Sequence, residues 1–358
     1  YLGTGKILLN EKKNIFLKNY IIAEIGTNHN KSFYKAIKMI DLVSQTKCDA
    51  VKFQIYEPYE IVSKLVMAKD YGLDKFYGNI SANKMFDKYL KTPKNWFPKI
   101  KNYCKTKNLD VGVTIHGEEG IRWAKKIKPD FIKIASMDHN NFPFISKLIN
   151  SINVPILVSV GMAKKNDIFY LVRILKKHKY GSGIFHCTSL YPPKKNENRM
   201  KNIAFFKKKL KTNIGYSDHN AGFEMAKLAK EYGATFFEKH ITLNKKDKGP
   251  DHAFALNMKE FKEYCEKLKK KEKKKNINIR NLKFIDLTKR EKQIRKKYLK
   301  SLIAKKKIIK GKRLKKKEIY LARPGNGIEP KYLEFVIGRK TNLNIKKENI
   351  IKWEDLKI

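Results

Sequence analysis

Short apolar runs alternate with longer amphipathic stretches from about Tyr20 to Lys270. The runs YIIAE (20–24), AVKFQ (50–54), DVGVT (110–114), FIKIA (131–135), PILVS (155–159), GIFHC (183–187), NIGYS (213–217) and ATFFEKH (234–240) have strand length and strand composition. Between them, FYKAIKMIDLVSQ, DIFYLVRILKKH and FEMAKLAKEY repeat apolar residues at helical spacing, and MKEFKEYCEKLKK supplies a last helix. Eight strand-then-helix units predict an α/β fold of the (β/α)8 TIM-barrel kind, which takes about 250 residues. The rival arrangement of the same elements is an open, doubly wound sheet.

The pattern changes after this. Residues 268–280 form a charged run with no core periodicity, read as a helix end passing into a linker. From Ser301 to Ile358, short strands and tight turns replace helices (SLIAKK, KKIIKGKRL, LARPGNGIEP, ENIIKWEDL). The division is therefore a barrel over 1–270, a linker over 271–300 and a small module over 301–358. A module this short has little core of its own and is expected to lean on the barrel or on a partner subunit.

Composition adds one unusual feature, a formal net charge of +47. A nucleic-acid binder concentrates such charge on one face or tail. Here lysines run through the whole chain beside abundant Asn and Ile, which reads as compositional bias on solvated faces, so a nucleic-acid partner is not expected. Anionic small substrates would still be drawn to such a surface. Cys48, Cys104, Cys187 and Cys265 lack CxxC spacing and read as free thiols of a reducing compartment. No run approaches the 18 or so apolar residues of a membrane span. The first residues, YLGTGKILLNEKKNIF, lack the apolar core of a secretory signal, so the expected location is cytoplasmic. The chain begins at Tyr1 rather than Met, which leaves room for residues upstream.

In a TIM barrel the C-terminal ends of the strands carry the chemistry. Those ends hold Glu24, with Asn28 and His29 after it, then Lys52, Gln54, Lys133, Ser136, Asp138, Ser159, His186, Thr188, Ser189, Ser217, Asp218, His219, Glu238 and His240. His219 (YSDH) and His240 (FEKH) end neighbouring strands at matched depth. Two readings are open: strand-capping hydrogen bonds, or a divalent ion with free positions acting as a Lewis acid. Mixed nitrogen and oxygen ligation favours Mn²⁺, with Mg²⁺, Co²⁺ and Zn²⁺ as alternatives. Lys52 and Lys133 each interrupt an apolar strand, where an ammonium needs an anionic partner or ligand. With Ser136, Ser159 and Ser217 they could cradle phosphate and carboxylate; snorkelling to the rim and a Schiff-base lysine are the other readings. Glu24, ending an apolar strand, is a candidate general acid or base.

The ordered set IIAEIGTNHN (21–30), AVKFQ (50–54), KIAS (133–136), VSVGMA (158–163), HCTSLYP (186–192), GYSDHNAG (215–222), EKHITL (238–243) and GPDHAF (249–254) resembles the sialic acid synthases, the makers of N-acetylneuraminic, legionaminic and pseudaminic acids. RPGNGI (323–328) and VIGRK (336–340) are similar to that family's small antifreeze-like (SAF) β-clip domain. The resemblance implies condensation of phosphoenolpyruvate with an N-acyl amino sugar, in a domain-swapped homodimer. It implies metal ligation by His219 and His240, and phosphoenolpyruvate held by Lys52, Lys133, Ser136, Ser159 and Ser217. Glu24, Gln54, Tyr191, Asp251 and Asp138 would line the sugar side, with Ser189 and Glu238 among the substrate-binding residues. Arg323 would reach in from the partner, the glycines of RPGNG letting its turn approach the ligand. Three departures bear on the sugar: Asp138 stands where the family usually has Glu, Ser189 where Asn is common, and His116 where a Phe-like residue is expected. The alternatives are a condensing barrel of the keto-deoxy-octulosonate phosphate synthase type and a non-catalytic sugar- or polyanion-binding protein.

Overall fold

A computed structural model describes residues 15–16, 19–271 and 282–357. Most of the N-terminal stretch and of the charged run of 268–280 lies outside these residues. The eight expected strands are β1 (Tyr20–Glu24), β2 (Ala50–Ile55), β3 (Asp110–Ile115), β4 (Phe131–Ile134), β5 (Ile156–Ser159), β6 (Ser182–His186), β7 (Asn213–Asp218) and β8 (Phe236–His240). All pair in parallel, and β8 returns to β1 with Tyr20 opposite Phe236 and Glu24 opposite His240. That closure excludes the open sheet. A helix follows each strand: α1 (Phe33–Ser44), α2 (Phe97–Thr106), α3 (Glu118–Ile127), α4 (Phe142–Ile149), α5 (Lys165–Leu175), α6 (Lys201–Leu210), α7 (Glu224–Glu231) and α8 (Met258–Lys269).

Period-two alternation sorts the strand residues. Outward positions such as Ile21, Val51, Val113, Ile132, Val158, Ile184, Ile214 and Phe237 pack under the helices in one apolar layer. Inward positions near the strand starts (Tyr20, Ile22, Ala50, Phe131, Leu157, Phe185 and Phe236) form a separate cluster that plugs the barrel. Two glycines make room for its largest rings. A Cβ on Gly112 would lie 2.1 Å from Phe131, and one on Gly215 2.2 Å from Phe236. One step further along seven of the eight strands the inward residue turns polar: Glu24, Lys52, Thr114, Lys133, Ser159, Ser217 and Glu238. The apolar floor and the polar mouth thus follow from one alternation.

Within the segment expected to be a linker, residues 282–300 include a helix and contacts to the barrel. Leu282 and Phe284 pack against the barrel's outer core, and Thr288 caps α9 (Lys289–Tyr298), with the Glu291 side chain answering in a capping box. On α9, Glu291 pairs with Arg199 at 2.5 Å, both buried, and Arg295 donates to the Met162 carbonyl. The small domain has its own core around Leu302, Ile308, Leu314, Ile328, Val336 and Ile351. Its antiparallel strands β9 (Ser301–Ala304) and β10 (Ile319–Ala322) sit among turns and isolated bridges. It docks on its own barrel: Arg323 N donates to Ile61 O and Ser63 N to Arg323 O, both at 3.0 Å. The four cysteines are free and buried. Among the described residues no helix is long and apolar enough to cross a membrane.

Candidate active site

The polar mouth of the barrel and the docked small domain enclose a cavity of about 360 Å³. Of the expected site residues, Glu24, Lys52, Gln54, Lys133, Ser136, Ser159, Ser189, Tyr191, Ser217, His219, Glu238, His240, Asp251 and Arg323 all line it.

At its base lie two lysines and two glutamates. Lys52 meets Glu24 at 2.5 Å and Glu238 at 3.5 Å, and Lys133 contacts Glu238 directly. Ser217 Oγ donates to Glu238 at 2.9 Å, and Gln54 donates to Glu24 at 3.0 Å. Burial lifts the Glu24 carboxyl above its usual range; Lys52 pulls it back and Glu238 pushes it further up. Glu238 goes the other way. Burial would raise it, but Lys133 and Lys52 outweigh that and hold it well below the ordinary range. One carboxylate is thereby fixed as counter-charge and the other poised for proton transfer.

Beside the lysines, the hydroxyls of Ser159 and Ser189 are buried without a hydrogen-bond partner among the described residues. Ser136 Oγ accepts from Gly161 N at 3.1 Å and lies 3.2 Å from Cys187 Sγ. Gly161 is glycine because a Cβ would sit 2.3 Å from Ser189 Oγ and 2.9 Å from Ser136 Oγ. Unsatisfied donors next to ammonium groups are the makings of an anion site.

On β7 and β8 the imidazoles of His219 and His240 lie 5.8 Å apart between ring centres. His219 Nδ1 donates to Thr188 O at 2.9 Å, which leaves Nε2 as a lone pair. Burial lowers His219 to about 4, and burial plus His219 push His240 well below its usual value, so both rings are neutral near pH 7. His240 Nδ1 is buried without a hydrogen-bond partner, 3.7 Å from Asp251 Oδ2. Among the described residues no cluster of three or more His, Cys, Asp or Glu forms a closed metal cage. Two neutral imidazoles with one orphaned nitrogen fit an ion that keeps open positions. Burial, reinforced by Glu24, brings the Asp251 carboxyl up to about 7.

Asp138 is the correction. Expected on the sugar side, it is wholly buried and does not line the cavity. Its carboxylate lies 2.5 Å from Lys300 Nζ and 2.9 Å from His116 Nδ1. A side chain one methylene shorter than Glu is satisfied from behind by these two partners. In its place His116 faces the cavity; reading β3 as inward at Gly112 and Thr114 would have found it. Five other strand-end residues also stay out of the cavity lining, among them Thr188, which donates to Glu197 O, and Asp218, which pairs with Lys239 at 3.0 Å. Asn28 donates to Ile241 O, His29 meets Thr92, and His186 meets Asn198 O on the outer face. The resemblance implied a partner's Arg323, but in the structure it enters from its own chain. The glycines of its turn serve packing rather than ligand approach: a Cβ on Gly325 would lie 2.7 Å from Arg295 O, at the end of α9.

Comparison with known proteins agrees with this architecture. The NeuB family model matches residues 39–279, more than half of the chain, and the SAF domain model matches 300–357. The chain is 30% identical over 338 residues to the N,N'-diacetyllegionaminic acid synthase of Campylobacter jejuni, covering 94% of this chain and 99% of that protein. It is 29% identical over 343 residues to the pseudaminic acid synthase of the same organism, covering 94% and 96%. Among solved structures it is similar to the spore coat polysaccharide biosynthesis protein SpsE of Bacillus subtilis (TM-score 0.79, 25% identity, 95% and 96% covered). It is also similar to the N-acetylneuraminic acid synthetase of Leptospira borgpetersenii (TM-score 0.61, 27% identity, 78% and 91% covered). With one family model running through the barrel and the other through the small domain, the chain belongs to the NeuB family and ends in a SAF domain.

Proposed function

We propose that this protein condenses phosphoenolpyruvate with an open-chain N-acyl amino sugar and water, giving a nonulosonic acid of the sialic type and phosphate. The observation that carries this reading is the pairing of two buried lysines with the unpartnered hydroxyls of Ser159 and Ser189, in one cavity with Glu24, Gln54 and Asp251. Lys52, Lys133 and the serines take the phosphate and carboxylate of phosphoenolpyruvate. Gln54, Tyr191, Asp251 and Arg323 take the sugar.

His219 and His240 are the residues that would hold a divalent metal, best Mn²⁺ for open positions and mixed donors. When bound there, such an ion supplies Lewis acidity toward the sugar aldehyde. C3 of the enol attacks the aldehyde carbon, forming the new C–C bond and leaving positive charge at C2. The aldehyde oxygen takes a proton from Asp251, whose carboxyl near 7 suits such a transfer. Water adds to C2 as Glu24 accepts its proton, and the resulting tetrahedral centre expels phosphate to leave the ketone. Lys52 and Lys133 stabilise the charge on the departing phosphate.

The working form proposed is the exchanged homodimer that the resemblance implies. All the small-domain contacts described come from residues 282 onward, so a partner's copy of that segment would bring the same side chains to a barrel mouth. The test of the reaction is mass spectrometry of products from phosphoenolpyruvate with N-acetylmannosamine and a series of diacetamido-trideoxyhexoses. A nonulosonic acid should form with one phosphate released per product. Turnover of phosphorylated aldoses alone would assign the chain to the octulosonate type of chemistry instead.

A further inference from the structure

The mouth of the cavity at β3 holds two unpartnered polar atoms, one on Arg323, already assigned to the sugar, and one on His116, to which the proposed chemistry gives no part. His116 Nε2 and Arg323 Nε are both buried, and neither has a hydrogen-bond partner among the described residues. Both side chains line the same cavity, and Arg323 is close enough to lower the basicity of His116. Buried polar atoms are rarely left unpaired, so a pair of them facing one space calls for a ligand.

Their chemistry is complementary. Arg323 is always a donor. Its guanidinium is held by Nη2 against Met137 Sδ at 2.8 Å and lies between the rings of Tyr71 and Tyr298, 5.8 and 5.1 Å away. His116 is an acceptor, because of what stands behind it. Burial raises Asp138, but Lys300 and His116 outweigh that and keep it ionised, so its carboxylate can only accept. The hydrogen of the neutral imidazole is therefore on Nδ1, given to Asp138 Oδ2 at 2.9 Å, and Nε2 presents a lone pair. Lys300 fixes this arrangement from the other side, with Nζ 2.5 Å from Asp138 Oδ1 and 2.8 Å from the His116 carbonyl.

An acceptor and a donor lining one cavity together with Met137 and Tyr298 match one common group: a secondary amide bearing a small apolar acyl tail. We propose that His116 Nε2 accepts the N–H of the sugar's acylamino group, completing an amide clamp with the Arg323 guanidinium that the resemblance already assigns to the sugar. His116 is then a specificity-determining residue, and Asp138 and Lys300 are positioning residues that hold its tautomer. This rests on the reading of the substrate as an N-acyl amino sugar.

The test compares a secondary-amide sugar with its N-methylated analogue, which keeps the carbonyl but has no N–H. Wild-type enzyme should prefer the secondary amide by roughly 10- to 100-fold in kcat/KM, the range for a buried acceptor left unpaired. His116→Phe should erase that preference and raise KM for the secondary amide by a similar factor, leaving KM for phosphoenolpyruvate within about twofold. His116→Gln, which retains an acceptor, should recover part of the preference. Binding of the corresponding reduced alditols, which cannot react, is measured by calorimetry on the same three proteins. If His116→Phe keeps the wild-type discrimination in turnover or alditol binding, or weakens phosphoenolpyruvate as much as sugar, the clamp is wrong. Discriminating alditol binding without any condensation would overturn the reaction proposed above and leave the clamp standing.

Discussion

Replacing Lys133 with Met tests the anion cradle most directly. Lys133 and Lys52 together balance Glu24 and Glu238, all four buried at the base of the cavity. The substitution leaves Glu238 with Lys52 at 3.5 Å and the Ser217 hydroxyl at 2.9 Å, so it is weakened rather than abandoned. Breaking a buried pair costs about 3–5 kcal/mol; with those two partners retained, the lower figure, about 3 kcal/mol, applies. Phosphoenolpyruvate loses one charge-assisted contact worth about 1.5–3 kcal/mol, and its Kd should rise roughly 10- to 150-fold. Denaturant unfolding with calorimetric titration of phosphoenolpyruvate measures both. Adding Glu238→Gln removes the stranded charge, so the double variant should be more stable than the sum of the single losses predicts, by about 0.5–3 kcal/mol. Additive losses with an unchanged Kd would refute the reasoning. So would a substrate adduct trapped by borohydride on Lys133, which would make the lysine a Schiff-base nucleophile.

Gly161→Ala drives a methyl into Ser189 and Ser136, so KM for phosphoenolpyruvate should rise at least tenfold with the sugar's KM little affected; equal effects on both would move the anion site elsewhere. His240→Ala should lose bound metal as well as rate, read by elemental analysis of the purified protein, and unchanged metal content would place the ligands elsewhere. The folded pKa of Asp138 is depressed, so the stability it contributes is complete above its unfolded value near 4 and is lost as pH falls through the lower folded value. Asp138→Asn should accordingly destabilise at pH 7 and progressively less below about pH 4; a pH-independent difference would mean that the Lys300 and His116 contacts do not govern its ionisation. Mixing Arg323→Ala with His240→Ala subunits should restore about a quarter of wild-type activity in an exchanged dimer, since half the dimers are hybrids with one intact site; no recovery in verified hybrids would assign Arg323 to its own chain's barrel.

The barrel was legible because its strands alternate strictly. The same alternation that hides Ile132 and Ile134 under helices turns Lys133 into the mouth, and His219 and His240 share a depth because their strands are neighbours. Asp138 was misplaced because its fate is decided by Lys300, far along the chain on the stretch joining α9 to β9, a contact without local signature. The helix inside the expected linker was hidden for a similar reason. The charge of KREKQIRKKY conceals a helix whose buried Glu291 and Arg295 answer Arg199 and Met162 on the barrel. Long-range pairing of charged residues leaves no periodicity to read.

The aromatic plug beneath the lysines has a consequence for traffic. With Tyr20, Phe131, Phe185 and Phe236 closing the strand-start end, the barrel is a cup rather than a tube. Both reactants must descend through the mouth, and phosphate and sugar acid must climb out the same way, past the small domain that overhangs it. Whatever binds deepest is sealed in by whatever follows. If the cradle proposed for phosphoenolpyruvate at the bottom of the cup holds it, phosphoenolpyruvate goes in before the sugar and phosphate comes out after the acid: the order of turnover then follows from which end of the barrel is stopped.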